Sequence, residues 1–187
     1  ISDRTYRMVR FLFTTCLTLA TVDATEPIAL IDGRSPQPWR IVNDGVMGGQ
    51  SQSRLSLRED YYQFKGYLAL ANNGGFASVR SQTPIADLSG YKGVVLRVRG
   101  DGRSYKLRFR AGRRMDGVAH EARFDTRPET WVEIEILFDT FRPVWRGRLV
   151  GGAGPLDASR LRQIGLMVAD GQEGPFALDL AWVRAYR

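Results

Sequence analysis

Cysteine and histidine are almost absent from this chain, which has Cys16 and His120 as its single examples of each. A disulfide framework needs pairs of cysteines, and the usual zinc sites need several Cys or His ligands. Calcium loops of the Asp-x-Asp-x-Asp-Gly type are absent as well. The composition therefore excludes a disulfide-stabilised scaffold and the common zinc sites, and we predict neither a metal site nor a cofactor; the alternative is a calcium ion held by carbonyl-rich loops.

Lysine is also scarce, so the net charge of +7 comes almost wholly from arginine. Arginine binds phosphate and carboxylate through a planar fork, which makes nucleic acid or an acidic partner conceivable. However, the arginines are scattered without a dense run, and several would stand opposite glutamates on neighbouring strands. This distribution favours a charge-paired surface, and we predict no nucleic-acid partner.

The sequence patterns of common catalytic sites are missing too. A Ser-His-Asp site would have to use His120, which is in phase with the apolar residues of a predicted strand, and no Gly-x-Ser-x-Gly elbow exposes a nucleophile. Neither a dinucleotide fingerprint in its strand-to-helix setting nor a P-loop is present. A carboxylate pair for glycoside hydrolysis would depend on loop proximity; the candidates are Asp44, Asp101, Asp170 and Glu173. We therefore predict that the protein is not an enzyme.

The N-terminus, residues 1–24, has two interpretations. A basic start, an apolar run over residues 11–20 and small residues at Val22 and Ala24 are the layout of a secretory signal peptide. The alternative is an extra strand or a disordered arm, with Met8 as a second candidate for the initiator. The apolar run is too short to span a bilayer, so we predict no transmembrane segment. A true signal implies an exported or periplasmic protein; otherwise the location is cytoplasmic or mitochondrial.

Period-two alternation of apolar and polar residues fills residues 28–187 and is typical of half-buried antiparallel strands. The predicted strands cover residues 28–32, 54–57, 61–70, 76–81, 94–99, 105–110, 119–124, 131–138, 164–168 and 176–182. Residues 144–155 are predicted to be a surface loop, and residues 157–162 one helical turn. About ten short strands with frequent turn signals predict an all-β fold, a single antiparallel β-sandwich of jelly-roll type.

Alternation also predicts which side chains face the core. Residues 100–103 are predicted to form a hairpin turn, after which Tyr105, Leu107 and Phe109 face inward while Lys106, Arg108 and Arg110 face outward. On the later strands we predict five buried side chains: Trp131, Ile134, Phe176, Leu178 and Trp182.

Two loops carry a pair of glycines each, at residues 43–51 and 72–76. Glycine adopts left-handed backbone without steric cost and lets another backbone segment approach closely. We therefore predict that the two loops are neighbours. At least one of Gly48 and Gly49, and one of Gly74 and Gly75, should have positive φ or lie against another segment.

Amide and carboxylate groups on these loops, with an aromatic side chain nearby, are what a sugar or a protein loop needs for recognition. We predict a binding surface where the two glycine loops and the 100–103 turn meet. The candidate binding residues are Asn43, Asp44, Asn72, Asn73, Asp101, Arg103 and Trp39. The alternative for each residue alone is that it only shapes its turn or, for Trp39, fills the core.

Four motifs in order resemble the complex I intermediate-associated protein 30 family: residues 43–51, 73–80, 96–103 with Tyr105 and Lys106, and 174–176. The resemblance runs from Ile28 to the C-terminus. It implies a galactose-binding-like β-sandwich. It also implies a non-catalytic role, because the family's best-known members help to assemble respiratory complex I.

Two functions from different classes follow. The first is an assembly module that binds a protein partner, which the resemblance identifies with subunits or intermediates of respiratory complex I. The second is a carbohydrate-binding module of an exported protein, with a glycan as its ligand. The N-terminus separates them, because an exported protein is hard to reconcile with complex I assembly.

Overall fold

The computed structural model describes residues 27–111 and 117–187, so the N-terminal segment discussed above lies outside the described residues. Within this part of the chain, thirteen strands form two antiparallel sheets packed face to face, which confirms the predicted all-β sandwich. None of the helices in the described part is long and apolar enough to cross a membrane.

The first sheet has the order β3-β4-β13-β6-β9, and β1 also pairs with β13. Its long central strand, β13, lies between β4 and β6 and supplies buried residues along most of its length. The strands of this sheet are β1 (Ile28–Asp32), β3 (Gln52–Leu57), β4 (Tyr62–Leu68), β6 (Gly93–Arg99), β9 (Trp131–Leu137) and β13 (Gly174–Tyr186).

The second sheet has the order β11-β10-β8-β7-β12-β5-β2. Its strands are β2 (Trp39–Ile41), β5 (Ala77–Ser81), β7 (Ser104–Arg110), β8 (Ala119–Asp125), β10 (Arg142–Trp145), β11 (Arg148–Leu149) and β12 (Gln163–Val168). Four short 3₁₀ turns complete the fold: Asp44–Met47, Ala71–Asn73, Phe138–Thr140 and Ala158–Arg160.

The core lies between the sheets and follows the predicted alternation. Val94, Leu96 and Val98 of β6 are fully buried, as are Tyr105, Leu107 and Phe109 of β7. Phe176 and Leu178 are buried as predicted, and Phe176 packs against Phe64 with ring centroids 5.0 Å apart. Full burial of each such side chain stabilises the fold by about 1.5–3 kcal/mol.

Three of the five predicted core side chains are only half-buried. Trp182 was placed inward by uninterrupted alternation, but the register of β13 shifts between Leu180 and Trp182. Such a bulge moves the following side chains to the other face, so Val183 is buried and Trp182 lies under the Arg184 guanidinium.

Trp131 and Ile134 are half-buried because β9 is an edge strand. Trp131 lies on the outer face with Glu133, where the Arg99 guanidinium covers its ring at 4.9 Å. Ile134 packs against the core from the inner face. The predicted charge pairing across strands occurs here. Arg97 and Glu133 are register partners, and the Arg97 Nη1 lies 3.4 Å from the Glu133 Oε1.

Two predicted connections were wrong. Residues 100–103 do not form a hairpin, because β6 belongs to the first sheet and β7 to the second. Residues 144–155 are not only a loop, since β10 and β11 pair as a short hairpin there. The predicted turn at residues 157–162 is confirmed: Asp157 caps it, and Leu161 is buried against the core.

The largest correction concerns the outer face of the second sheet. Arg108 and Arg110 were predicted to face solvent, but both are buried. They do point away from the core, as the alternation requires. The outer face of this sheet is concave, however, and a cleft lies above it.

Candidate functional site

A cleft of about 950 Å³ crosses the outer face of the second sheet. Strands β5, β7, β8 and β12 supply its floor, and the two glycine loops form one of its walls. A concave surface of this size that carries a few polar groups is the usual form of a binding site. We therefore take the cleft as the candidate functional site.

The floor of the cleft is basic, and we call Arg80, Lys106, Arg108 and Arg110 the basic floor. Strand register explains it: Arg80 on β5 and Arg108 on β7 are both partners of Gly165 on β12, so the three stand in one row. Register partners point to the same face of a sheet. The backbone therefore directs the two arginines into the cleft on either side of a residue without a side chain.

Glu121 is the single acidic residue in the part of the cleft lining that the structure describes. It is the register partner of Arg108 and extends the same row onto β8. Its carboxylate pairs with Lys106 Nζ at 2.6 Å and with Arg108 Nε at 3.2 Å. The described lining contains six basic side chains, so one carboxylate leaves the cleft strongly positive.

The end of β2 and the first glycine loop place three apolar side chains at the cleft, which we call the apolar rim. Ile41 is 45% exposed, Val46 is 72% exposed and Met47 is 53% exposed. The 3₁₀ turn that carries Val46 and Met47 ends at Gly48, whose φ of 90° only glycine adopts readily. A group of exposed apolar side chains beside a cleft is typical of an interaction surface.

Asp44 holds the two glycine loops together. Its carboxylate is fully buried and accepts hydrogen bonds from the Ser51 N–H at 2.9 Å, the Ser51 hydroxyl at 2.5 Å, the Gly75 N–H at 2.7 Å and the Phe76 N–H at 3.2 Å. Burial raises the pKa of Asp44, but these bonds outweigh it, so the pKa lies below its usual range. The predicted contact between the loops is thus made by a charged, buried side chain.

The glycines fit this arrangement closely. A side chain on Gly49 would place its Cβ 2.4 Å from the Asp44 Cγ, and one on Gly74 would lie 2.7 Å from the Ala69 carbonyl oxygen. Gly75 has a φ of 117°. The prediction that each glycine pair contains a positive φ or a close approach is confirmed.

The structure brings some of the predicted binding residues to the cleft and not others. Asn43 and Asn73 line it, and Asp44 lies buried beside them. Asn72 is exposed on the same loop as Asn73 but does not line the cleft. Trp39 is half-buried with its ring edge against Tyr62, at a centroid distance of 5.5 Å.

Asp101 and Arg103 lie outside the cleft lining and are engaged inside the fold. The Asp101 carboxylate accepts from the Arg103 N–H at 3.0 Å, the Tyr105 hydroxyl at 3.0 Å and the Ala177 N–H at 2.8 Å. The Arg103 guanidinium binds both Asp170 oxygens, at 2.9 and 2.6 Å. A binding role for the predicted residues remains a prediction, and these contacts give Asp44, Asp101 and Arg103 a structural role first.

His120 lies on β8 and has a backbone partner inside the fold. His120 is buried, and its Nε2 lies 3.2 Å from the Gly154 carbonyl oxygen. Within residues 27–111 and 117–187, no group of three or more His, Cys, Asp or Glu side chains could hold a metal ion. A second depression, of about 650 Å³, lies on the first sheet beside Tyr67 and Asp101.

Sequence reasoning missed the basic floor because it took the outer faces of both sheets as solvent-exposed. One local signal was available. Gly165 interrupts an otherwise apolar strand, and a glycine inside a strand often marks a close approach. A Cβ there would lie 2.6 Å from the Val79 carbonyl oxygen. The facing positions, Arg80 and Arg108, follow only from the strand order.

The chain is similar in sequence to a known protein family and to several of its relatives. The family model described as complex I intermediate-associated protein 30 matches residues 29–180. The mouse protein named mitochondrial complex I intermediate-associated protein 30 is 24% identical over 169 residues, covering 79% of this chain and 52% of its own. An uncharacterized protein of Schizosaccharomyces pombe is 30% identical over 173 residues, covering 80% and 78%. The chain thus spans about half the length of the mouse relative.

Among solved structures, a family 11 carbohydrate-binding module from Clostridium thermocellum, in complex with a β-1,3-1,4-mixed-linked tetrasaccharide, superimposes with a TM-score of 0.66. The match covers 87% of this chain and 96% of the module at 17% identity. At this identity the likeness concerns the fold, a β-sandwich shared with carbohydrate-binding modules.

Proposed function

The chain belongs to the complex I intermediate-associated protein 30 family, and from this premise we propose that it is a non-catalytic assembly module that binds subunits or intermediates of respiratory complex I. The observation that carries the proposal is the cleft of the second sheet. Its apolar rim exposes Ile41, Val46 and Met47 directly beside a positively charged floor.

Apolar side chains and charge have separate parts in such an interface. Burial of exposed aliphatic side chains supplies affinity, at about 25 cal/mol per Å² of apolar surface removed from water. A positive cleft favours a partner with acidic residues and steers its approach. We therefore expect the partner to present an apolar patch flanked by carboxylates.

A carbohydrate-binding module of an exported protein is the second candidate. The amide side chains of Asn43 and Asn73 in the cleft lining favour it, since amides are suited to sugar hydroxyls. Against it, Phe76 is the single aromatic residue in the described part of the lining. Neutral sugars bind largely by their apolar faces, for which aromatic rings are the usual contact.

The test is affinity purification of the tagged chain from detergent extracts of respiratory membranes of the source organism, with quantitative mass spectrometry of complex I subunits. The rim variant combines Val46→Asp and Met47→Asp. We expect complex I subunits to be enriched with the parent and to fall by about tenfold with the rim variant, because charges then occupy an apolar contact.

Leu57→Asp is the matched control, because Leu57 is 40% exposed on β3 of the other sheet. It should retain the subunits. Equal recovery of complex I subunits from the parent and the rim variant would contradict the proposal. Retardation of the parent in a gel containing soluble β-glucan, without enrichment of complex I subunits, would favour the carbohydrate-binding alternative.

A further inference from the structure

Arg110 is the most unusual side chain of the basic floor. It is 5% exposed, and its guanidinium has no ion pair or hydrogen bond with any residue in the described part of the chain. A buried cation without a partner costs several kcal/mol, so proteins rarely retain one without a reason. A ligand that supplies the missing acceptors is such a reason.

The surroundings of Arg110 add positive charge. Arg110 lies two residues along β7 from Arg108, so both side chains project to the same face. Burial, and then the charges of Arg108 and Arg80, lower the pKa of Arg110. Burial, and then the charges of Arg108 and Arg40, lower the pKa of Arg80. The floor is therefore a place where an anion would relieve repulsion.

The acidic group nearest in register is already engaged. Glu121 forms ion pairs with Lys106 and Arg108, and its attraction for Arg110 is outweighed by burial and by the charges of Arg108 and Arg80. Arg108 has a further contact, from its Nη1 to the Met167 sulfur at 3.1 Å, which is a weak acceptor. Much of the hydrogen-bonding capacity of the Arg108 and Arg110 guanidinium groups is thus left for a ligand.

The backbone leaves space for that ligand. Arg80 and Arg108 lie on either side of Gly165, and neighbouring strands are about 4.8 Å apart, which puts the two arginines roughly 10 Å apart across the sheet. Gly165 adds no side chain between them, and both arginines line the cleft. Arg110 borders the same space from the next outward position of β7.

We propose that the basic floor is a binding site for a phosphate group, held by Arg110, Arg108 and Arg80. Several guanidinium groups converge there from different directions, and a phosphate offers three or more acceptor oxygens, whereas a carboxylate offers two. The proposal goes beyond the assembly role and does not rest on it, because it depends on Arg110, Arg108 and Arg80 of the floor, whereas the assembly role is tested at the apolar rim.

The experiment is isothermal titration calorimetry of the full chain with inorganic pyrophosphate at fixed ionic strength, with glycerol 3-phosphate and citrate as parallel ligands. Pyrophosphate represents a free phosphate, glycerol 3-phosphate a phosphomonoester such as a lipid headgroup, and citrate a carboxylate. We expect one site for a phosphate ligand, and at least about tenfold weaker binding to Arg110→Gln, since one charged hydrogen bond is worth about 1.5–3 kcal/mol.

Arg127→Gln is the matched control, because it removes the same charge from an exposed position outside the cleft lining. It should leave the affinity unchanged. Equal weakening of binding by both variants would mean a general charge effect and would overturn the proposal. Two other results would also overturn it: citrate binding as tightly as pyrophosphate, or no binding of either phosphate ligand. The titration contains only the chain and the small ligand, so its result does not depend on whether complex I subunits are recovered in the protein-binding test.

Discussion

Two arginines of this protein are buried to nearly the same extent, yet their surroundings are opposite. Arg103 is 8% exposed and Arg110 is 5% exposed. Arg103 donates to both oxygens of Asp170 and to the Pro175 carbonyl oxygen at 2.8 Å, and the Asp170 hydrogen bonds raise its pKa. Arg110 has no such partner among the described residues, and burial lowers its pKa.

The difference teaches which buried charge belongs to the fold and which to a site. A buried ion pair with satisfied hydrogen bonds fixes a local structure, here the turn between the sheets and the segment before β13. A buried cation that the fold leaves unsatisfied is instead a candidate for contact with a ligand. Substitutions of the two arginines and of the Asp170 carboxylate can test this distinction.

The largest effect is expected for Asp170→Ala, which leaves the Arg103 charge buried without its carboxylate. We expect the free energy of unfolding to fall by about 3–5 kcal/mol, measured by urea denaturation. Asp125→Asn is the control, because its pair with Arg123 is exposed and should matter by less than about 1 kcal/mol. A small loss for Asp170→Ala, similar to that of the control, would show that the Arg103 pair is not structural.

The next effect concerns Asp44, a second partnered charge. Gly49→Ala would place a methyl group 2.4 Å from the Asp44 Cγ. We expect a loss of at least about 1 kcal/mol in stability, seen in thermal melts. Gly45→Ala is the control on the same turn, since nothing lies within 4 Å of its Cβ position and its φ is not positive. Equal melting temperatures for the two variants would contradict this packing.

The opposite sign is expected for Arg110→Met. Replacing an unsatisfied buried cation by an apolar side chain of similar length should stabilise the protein by about 1 kcal/mol, again by urea denaturation. Arg103→Met should destabilise it, because the Asp170 carboxylate is then left unpaired. If Arg110→Met also destabilises the protein, Arg110 has a structural partner and the distinction between the two arginines fails.

The smallest effect is a pH dependence. Burial raises the pKa of Asp170, but hydrogen bonds from Arg103 and the Gln172 N–H outweigh it, so the folded-state pKa lies below the unfolded one. The unfolded state then binds more protons in acid, so this contribution is present above the unfolded pKa of about 3.9 and is lost as the pH falls through the folded pKa. Asp170→Asn should flatten the acid limb of the stability curve; an unchanged slope would contradict this.

Alternation was enough to predict the sandwich, because the apolar positions within each strand mark the face that is buried. Leu96, Leu107 and Leu178 were placed correctly from their neighbours in the sequence. The same reasoning failed at Trp182, because a one-residue bulge shifts the phase and leaves no mark in the alternation itself.

The candidate site was predicted less well, because it depends on strand order. Asn43 and Asn73 were chosen for their side chains and do line the cleft. Arg80 and Arg108 are 28 positions apart and become neighbours only because β12 inserts between β5 and β7. Period-two reasoning assigns a side chain to a face, but it does not say whether that face is covered.

The measurement that tests the assembly role most directly is site-specific photo-crosslinking. A photoreactive phenylalanine analogue replaces Met47 on the apolar rim in one variant and Leu57 on β3 in another, and both are activated in respiratory membranes of the source organism. We expect crosslinks from position 47 to complex I subunits and none from position 57. Crosslinks to those subunits from position 57 alone, or from neither position, would contradict the claim that the cleft of the second sheet binds the partner.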